Sequence, residues 1–208
     1  MKKIAVFASG SGSNAENLIR YFNLGRPRKQ TTVSFLVTNR PDAYVLERIQ
    51  RFSVPAAVFD RATFYPDDPV NTGYPLLDAL VAAEIDYIVL AGFLWLIPVY
   101  LINAYPGKIV NIHPALLPKY GGKGMYGRHV HQAVIANGET ESGITIHIAD
   151  AQYDHGNVLF QARCRIEAGE TPESLAQKVH LLEQEHYPKV VEQWINGTIP
   201  QQTQLQTP

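Results

Sequence analysis

The stretch IAVFASGSGSN, residues 4–14, decides the fold. Its opening apolar run, Ile4 to Ala8, reads as a strand buried on both faces, and the serine–glycine alternation after it ends the strand in a tight turn. Ser13 or Asn14 then supplies a cap for a helix running to about Phe22. The same alternation continues outward. Residues 32–37, 56–59, 87–90 and 109–113 read as strands, and residues 43–52 and 75–83 as helices. This pattern predicts an α/β fold, a Rossmann-like and mostly parallel sheet with helices on both faces.

The later chain changes character. Residues 119–127 are glycine-rich and read as a loop, followed by a helix over 129–137 that Gly138 stops. Residues 142–148 and 158–166 read as strands joined by a polar loop, an antiparallel pair. Thr171-Pro172 begins a helix that runs to about Trp194, with proline at its first position. Residues 1–199 are expected to form one domain without repeat or linker, and the Gln/Thr-rich residues 200–208 a flexible tail.

Bulk properties exclude several function classes. A formal net charge of −1 gives no electrostatic case for nucleic acid. The one dense basic cluster, Arg26, Arg28 and Lys29, reads as a solvated loop. The single cysteine, Cys164, forbids an internal disulfide and reads as a strand residue rather than a nucleophile. No apolar run approaches the roughly 20 residues of a membrane span, and Met1-Lys2-Lys3 precedes a run too short for a signal peptide. A cytoplasmic protein with no membrane partner is expected, as monomer or homodimer.

Two motifs carry chemistry. The turn at residues 9–14 brings free N–H groups to a ligand, as phosphate sites do, or is simply a tight strand–helix connection. It partly matches a dinucleotide fingerprint, but no acid ends the second strand, which weakens NAD; NADP through Arg40 is the residual form of that reading. Asn111 and His113, two apart on a strand, share one face near its carboxyl end, where open α/β sheets bind ligands. An amide and an imidazole there can stabilise an oxyanion and move a proton. A carboxylate beside them would favour the imidazolium, with Asp154 and Asp150 as candidates. The alternative is that Asn111 and His113 only close a loop by local hydrogen bonds. His129 and His131 do not share a helical face, His147 is read as pointing to a polar sheet face, and no pair has zinc spacing, so no metal is expected.

These motifs resemble the phosphoribosylglycinamide formyltransferases, a folate-dependent formyltransferase family. The resemblance is carried by IAVFASGSGSN, by DYIVLAGFLWLIP at 86–98 and by KIVNIHPALLPKYGG at 108–122. ITIHIADAQYDHGNVLFQ at 144–161 and HLLEQEHYPKVV at 180–191 continue it. It implies transfer of the formyl group of 10-formyltetrahydrofolate to the amine of 5-phosphoribosylglycinamide (glycinamide ribonucleotide) in purine (IMP) synthesis. It implies Asn111, His113 and Asp154 as catalytic residues, with Asn111 also facing the folate. Gly12, Ser13 and Asn14 would hold the substrate phosphate, and Glu183 its ribose. The folate would bond to the backbone of Leu94, Trp95, Leu96 and Ile97, with Arg61 as a further contact. Trp95 stands where members often carry arginine, and residues 121–127 form an insert where many are shorter. Related readings are a methionyl-tRNA formyltransferase, expected to carry a basic C-terminal domain, and a formyltetrahydrofolate hydrolase, expected to carry an N-terminal extension. A non-enzymatic nucleotide-binding regulator would leave Asn111, His113 and Asp154 without a shared task.

Overall fold

Strand β1 (Lys2–Phe7) leads into helix α1 (Ser13–Ile19), which continues as a π-helical segment through Leu24. Strand β2 (Thr31–Thr38) precedes helix α2 (Val45–Ile49), which ends in a 3₁₀ turn at Phe52. Strand β3 (Ala56–Val58) is followed by the short helices α3 (Arg61–Phe64) and α4 (Pro69–Thr72) and by α5 (Pro75–Ala82). Next come strand β4 (Tyr87–Leu90), helix α6 (Val99–Ala104), strand β5 (Ile109–His113) and helix α7 (Arg128–Ala136). Strands β6 (Glu141–Ile148) and β7 (Val158–Arg165) and the long helix α8 (Pro172–Ile195) complete the chain. The computed structural model describes residues 1–25 and 30–199; the basic cluster Arg26, Arg28, Lys29 and the tail at 200–208 lie outside the described residues.

The strands form a seven-stranded mixed sheet in the order β3-β2-β1-β4-β5-β6-β7. The chain divides into two compact units, with the boundary between Val110 and Asn111, inside β5. In the first unit β1 pairs in parallel with β2 and with β4, and β2 in parallel with β3. The register slips once, between Ile4 and Ala5 against β2. Ile4 to Ala8 are wholly buried. This is why the opening run is apolar without alternation: a central parallel strand is covered on both faces. In the second unit β6 and β7 pair antiparallel, Ile144 opposite Ala162 and Thr145 opposite Gln161. Helix α8 packs on β6, β7 and α7, and it buries Leu175, Val179, Tyr187 and Val191.

Two expectations need correction. The residue capping α1 is neither Ser13 nor Asn14 but Gly12, at φ 73°, with no side-chain cap. The π turns carry that helix past Phe22 to Leu24. Helices α3, α4 and α6 add to the elements the sequence pattern indicates. The first two are single turns held by the Asp60 and Asp68 side chains, which accept from the N–H groups of Thr63 and Asn71. Elements this short show no hydrophobic period.

Helix α8 begins as the sequence predicts. Thr171 accepts from the Ser174 N–H, the Ser174 hydroxyl accepts from the Thr171 N–H, and Pro172 occupies the first turn. Replacing a cap of this kind by alanine costs about 1 kcal/mol, so Thr171→Ala should lower Tm by roughly 2–4 °C while Thr171→Ser leaves it near wild type. Thermal unfolding of the two variants checks this, and equal melting would remove the cap from the account.

Candidate active site

The glycine-rich turn lies in the first unit, at the carboxyl end of β1, where β2 and β4 lie on opposite sides. In open α/β sheets a crevice opens at such a point of reversal. Ser9 ties the ends of the two strands together: its N–H donates to Gly92 O at 3.1 Å, and its Oγ accepts from the Leu94 N–H at 3.0 Å. Gly12 is needed twice over. Its φ is left-handed, and a Cβ there would stand 2.3 Å from Val45 Cγ2. Asn14 is buried and Ser13 half-buried. Arg40, the residue of the NADP reading, is held bidentately by Asp42, at 3.2 and 2.8 Å.

Leu94, Trp95, Leu96 and Ile97 follow β4. Leu94 is exposed and Ile97 buried. Two backbone groups of this segment already have protein partners: Leu94 N–H on Ser9 and Leu96 O, which accepts from Tyr65 Oη at 2.5 Å. Trp95 does not project freely. Its ring lies edge-on to Phe64 at 5.3 Å and tilted against Tyr65 at 5.8 Å. Arg61, exposed on α3, stacks its guanidinium over Tyr65 at 5.3 Å. Tyr65 therefore links Arg61 to the 94–97 segment, a relation the sequence does not reveal.

The amide, the imidazole and the acid meet in the second unit. Asn111 and His113 leave the same face of β5, as the period of two requires. His113 is buried, with Nε2 2.8 Å from Tyr120 O and Nδ1 3.4 Å from Asp154 Oδ2. Both ring nitrogens face acceptors, and only the doubly protonated ring can donate to both. Asn111 Nδ2 donates to Asp154 Oδ1 at 3.4 Å and lies 3.1 Å from His147 Nε2. Asp154 Oδ2 also accepts the Gly122 N–H at 2.9 Å. Burial works to raise the Asp154 carboxyl, but the facing His113 imidazole and the Gly122 amide outweigh it and hold the group far below the ordinary carboxylate range. Asp150, the other candidate, is engaged elsewhere, with its Oδ2 2.8 Å from His155 Nδ1.

His147 sharpens the sequence reading. It is buried, and the polar face it points to is the one that carries the Asn111–Asp154 pair. Its Nδ1 lies 3.1 Å from Ile148 O, which can only accept, so that nitrogen carries the proton and in the neutral ring Nε2 is left to accept the Asn111 amide. The signal was present in Thr145 and His147, two polar residues at a spacing of two between Ile144, Ile146 and Ile148. Thr145 is fully buried; it donates to Ala115 O at 2.7 Å and accepts from Leu117 N–H at 2.9 Å. Gln161 adds a bond to Leu117 O at 3.0 Å. Together they fasten the segment that follows His113-Pro114.

Two local devices bring Asp154 into place. It adopts φ 54°, a conformation aspartate tolerates better than most residues. Gly156 two residues later passes so close to β6 that a Cβ would stand 1.8 Å from Ile148 O. Glu183 lies on α8, its carboxylate 3.2 Å from His180 Nδ1. His131 on α7 is buried, and Nδ1 has no hydrogen-bond partner among the described residues. Burial pushes this imidazole down, and the Glu183 charge pulls the other way. Burial also pushes the Cys164 thiol up, as suits a strand residue. Among the described residues no group of three or more His, Cys, Asp or Glu could hold a metal ion, and no helix is long and apolar enough to cross a membrane.

An amide and an imidazole beside a largely buried carboxylate, at the end of a strand of a Rossmann-like sheet, are groups of the kind that acyl transfer uses. The family model described as formyl transferase matches residues 2–191. The chain is 43% identical over 190 residues to the chloroplastic phosphoribosylglycinamide formyltransferase of Arabidopsis thaliana, an alignment covering 91% of this chain and 64% of that one. It is 36% identical over 193 residues to the phosphoribosylglycinamide formyltransferase of Bacillus subtilis, covering 93% and 94%. Among solved structures, the glycinamide ribonucleotide transformylase 1 of Symbiobacterium toebii superposes with a TM-score of 0.83 at 31% identity, covering 95% of this chain and 89% of that one. The chain belongs to the formyl transferase family. It spans just under two thirds of the length of the plant relative.

The depressed Asp154 carboxyl has a consequence for stability. A carboxylate whose folded value lies below its unfolded value of about 4 contributes stability that is present above about pH 4 and is lost as pH falls through the folded value. Asp154→Asn lacks this contribution. The stability difference between wild type and Asp154→Asn should therefore stay level above about pH 5 and narrow as pH falls toward about 3. Urea unfolding of both at each pH measures it, and a gap that stays constant or widens toward acid contradicts the assignment.

Proposed function

We propose that the chain transfers the formyl group of 10-formyltetrahydrofolate to the amine of 5-phosphoribosylglycinamide, a step of purine synthesis. The observation that carries this reading is the hydrogen-bonded set of Asn111, His113 and Asp154 at the end of β5. The names borne by its relatives supply the acceptor and the formyl group, and the resemblance to folate-dependent formyltransferases supplies the donor.

The amine attacks the formyl carbon and the carbonyl oxygen becomes an oxyanion. Asn111 Nδ2 has two hydrogens; one points to His147, and the other is only loosely held by Asp154, at 3.4 Å. That second hydrogen is the one available to the oxyanion. Protonated His113 stabilises the same charge. Asp154 balances His113, and its depressed basicity makes it an electrostatic partner first. A proton leaving the amine through water rests on Asp154 only briefly before passing on. Collapse of the intermediate expels tetrahydrofolate, whose nitrogen takes up a proton. Gly12, Ser13 and Asn14 are assigned to the substrate phosphate and Glu183 to its ribose. Leu94, Trp95, Leu96 and Ile97 are assigned to the folate, with Asn111 and Arg61 as further contacts. The segment's donors to the folate exclude Leu94 N–H, already held by Ser9. A cytoplasmic location and a monomeric or homodimeric state belong to the same proposal.

His113→Ala and Asp154→Asn should each lower kcat by about 10²–10³-fold without unfolding the protein. Ser13→Ala and Asn14→Ala should mainly raise KM for the phosphorylated substrate. The test is steady-state formyl transfer offering glycinamide ribonucleotide and initiator tRNA separately. Transfer to the tRNA alone would reject the substrate, and near-normal turnover in either catalytic variant would reject the mechanism.

A further inference from the structure

The turn between β1 and α1 is fastened from the side of α2. Val45 N–H donates to Gly10 O at 3.0 Å, Arg48 Nε–H to Ser11 O at 2.7 Å, and Glu16 N–H to Gly12 O at 2.8 Å. Three successive carbonyls are thereby engaged. In a trans peptide the carbonyl and the following N–H point in opposite directions. Each engaged carbonyl therefore sets the direction of the next amide: those of Ser11, Gly12 and Ser13. None of these three donates to another backbone group among the described residues. Backbone holds the Gly10 and Gly12 carbonyls, while the Ser11 carbonyl is held by a side chain.

That side chain is itself held. Arg48 Nη1 donates to Glu16 Oε2 at 2.8 Å, and its guanidinium lies over the Tyr44 ring at 5.2 Å. Glu16 Oε1 receives Arg20 at 2.9 Å and also Arg51. Arg48, with Arg20 and Arg51 adding to it, brings the carboxyl down to about 2 against the opposing effect of burial. Glu16 is thus ionised throughout the working pH range, and it draws Arg48 onto the turn. Arg20 and Arg51 pair with the same carboxylate, yet neither donates to a carbonyl of the turn.

We propose that Arg48 is a positioning residue for phosphate binding: by holding the Ser11 carbonyl it turns the Gly12 N–H toward a phosphate monoester that Arg48 itself does not touch. This rests on the assignment of the substrate phosphate to Gly12, Ser13 and Asn14. An arginine acting only through its charge would be matched by its neighbour Arg51; one acting through the peptide plane would not.

The test is kcat and KM of the whole chain for 5-phosphoribosylglycinamide and for the same acceptor lacking its phosphate, in wild type, Arg48→Met, Arg48→Lys and Arg51→Met. Arg48→Met keeps the packed stem and loses the donors; Arg48→Lys keeps charge and one donor group. Loss of a charge-assisted bond to the turn should raise KM for the phosphorylated acceptor about 10-fold or more in Arg48→Met. Arg48→Lys should fall between Arg48→Met and wild type, and Arg51→Met should match wild type. The KM for the formyl donor, kcat, and kcat/KM for the acceptor without phosphate should stay unchanged. The positioning role is overturned by an unchanged KM in Arg48→Met, by equal losses on both acceptors, or by Arg51→Met behaving as Arg48→Met does. If Arg48→Met does not fold, Arg48→Lys decides on the same terms: a raised KM confined to the phosphorylated acceptor supports the role, and any other pattern overturns it. A wild type that treats both acceptors alike would instead refute the phosphate assignment, and the role of Arg48 with it.

Discussion

A carboxylate whose side chain is only one-tenth exposed must find donors for its oxygens or give up its charge, and Asp154 is such a group. Its donors come from several stretches of the chain: His113 and Asn111 from β5, the Gly122 amide from the glycine-rich loop, with His147 of β6 close by. Each of them is placed by something else. Thr145 and Gln161 fasten the segment beyond His113, and Gly156 lets the hairpin carrying Asp154 run close to β6. The arrangement of the second unit around β5 and β6 can be read as what this one buried anion requires. The glycine-rich loop then has a structural purpose, since a residue with a side chain at Gly121 would meet Leu117 at 2.5 Å and Asp154 at 3.2 Å.

The same logic runs the other way in the first unit, where the backbone is the binding element. There the parallel strands end in a turn whose carbonyls are engaged by α1 and α2, and the peptide planes do the aiming. Glycine at position 12 is required because helix α2 comes within contact of it, and because its φ is left-handed. A site of this kind carries little side-chain chemistry. Its precision depends on residues such as Arg48 and Glu16 that stand behind the turn.

Sequence pattern was a sound guide wherever a physical period existed. Strands β4 and β5 begin and end at the residues the pattern indicates, and α8 opens on the Thr171-Pro172 cap. It failed where one side chain sets an element, as Asp60 does for α3, or where glycine replaced an expected polar cap, as at Gly12. For His147, alternation tells which residues share a face but not what covers that face. The face is polar, as the alternation indicates, but it is buried and is the one on which Asn111 and Asp154 meet.

The sequence by itself determined the alternating α/β architecture, the antiparallel β6–β7 pair and the common direction of Asn111 and His113. Those follow from local periods of the backbone and from the strand-ending glycines and proline. Only the tertiary structure set Asp154 against His113 and Asn111 and Asp150 against His155, brought His147 to the Asn111 amide, and placed Arg48 behind the glycine-rich turn. These are contacts between residues far apart along the chain or separated by a turn. No period reports them; they are set by hairpin geometry and by which donors a buried charge can reach.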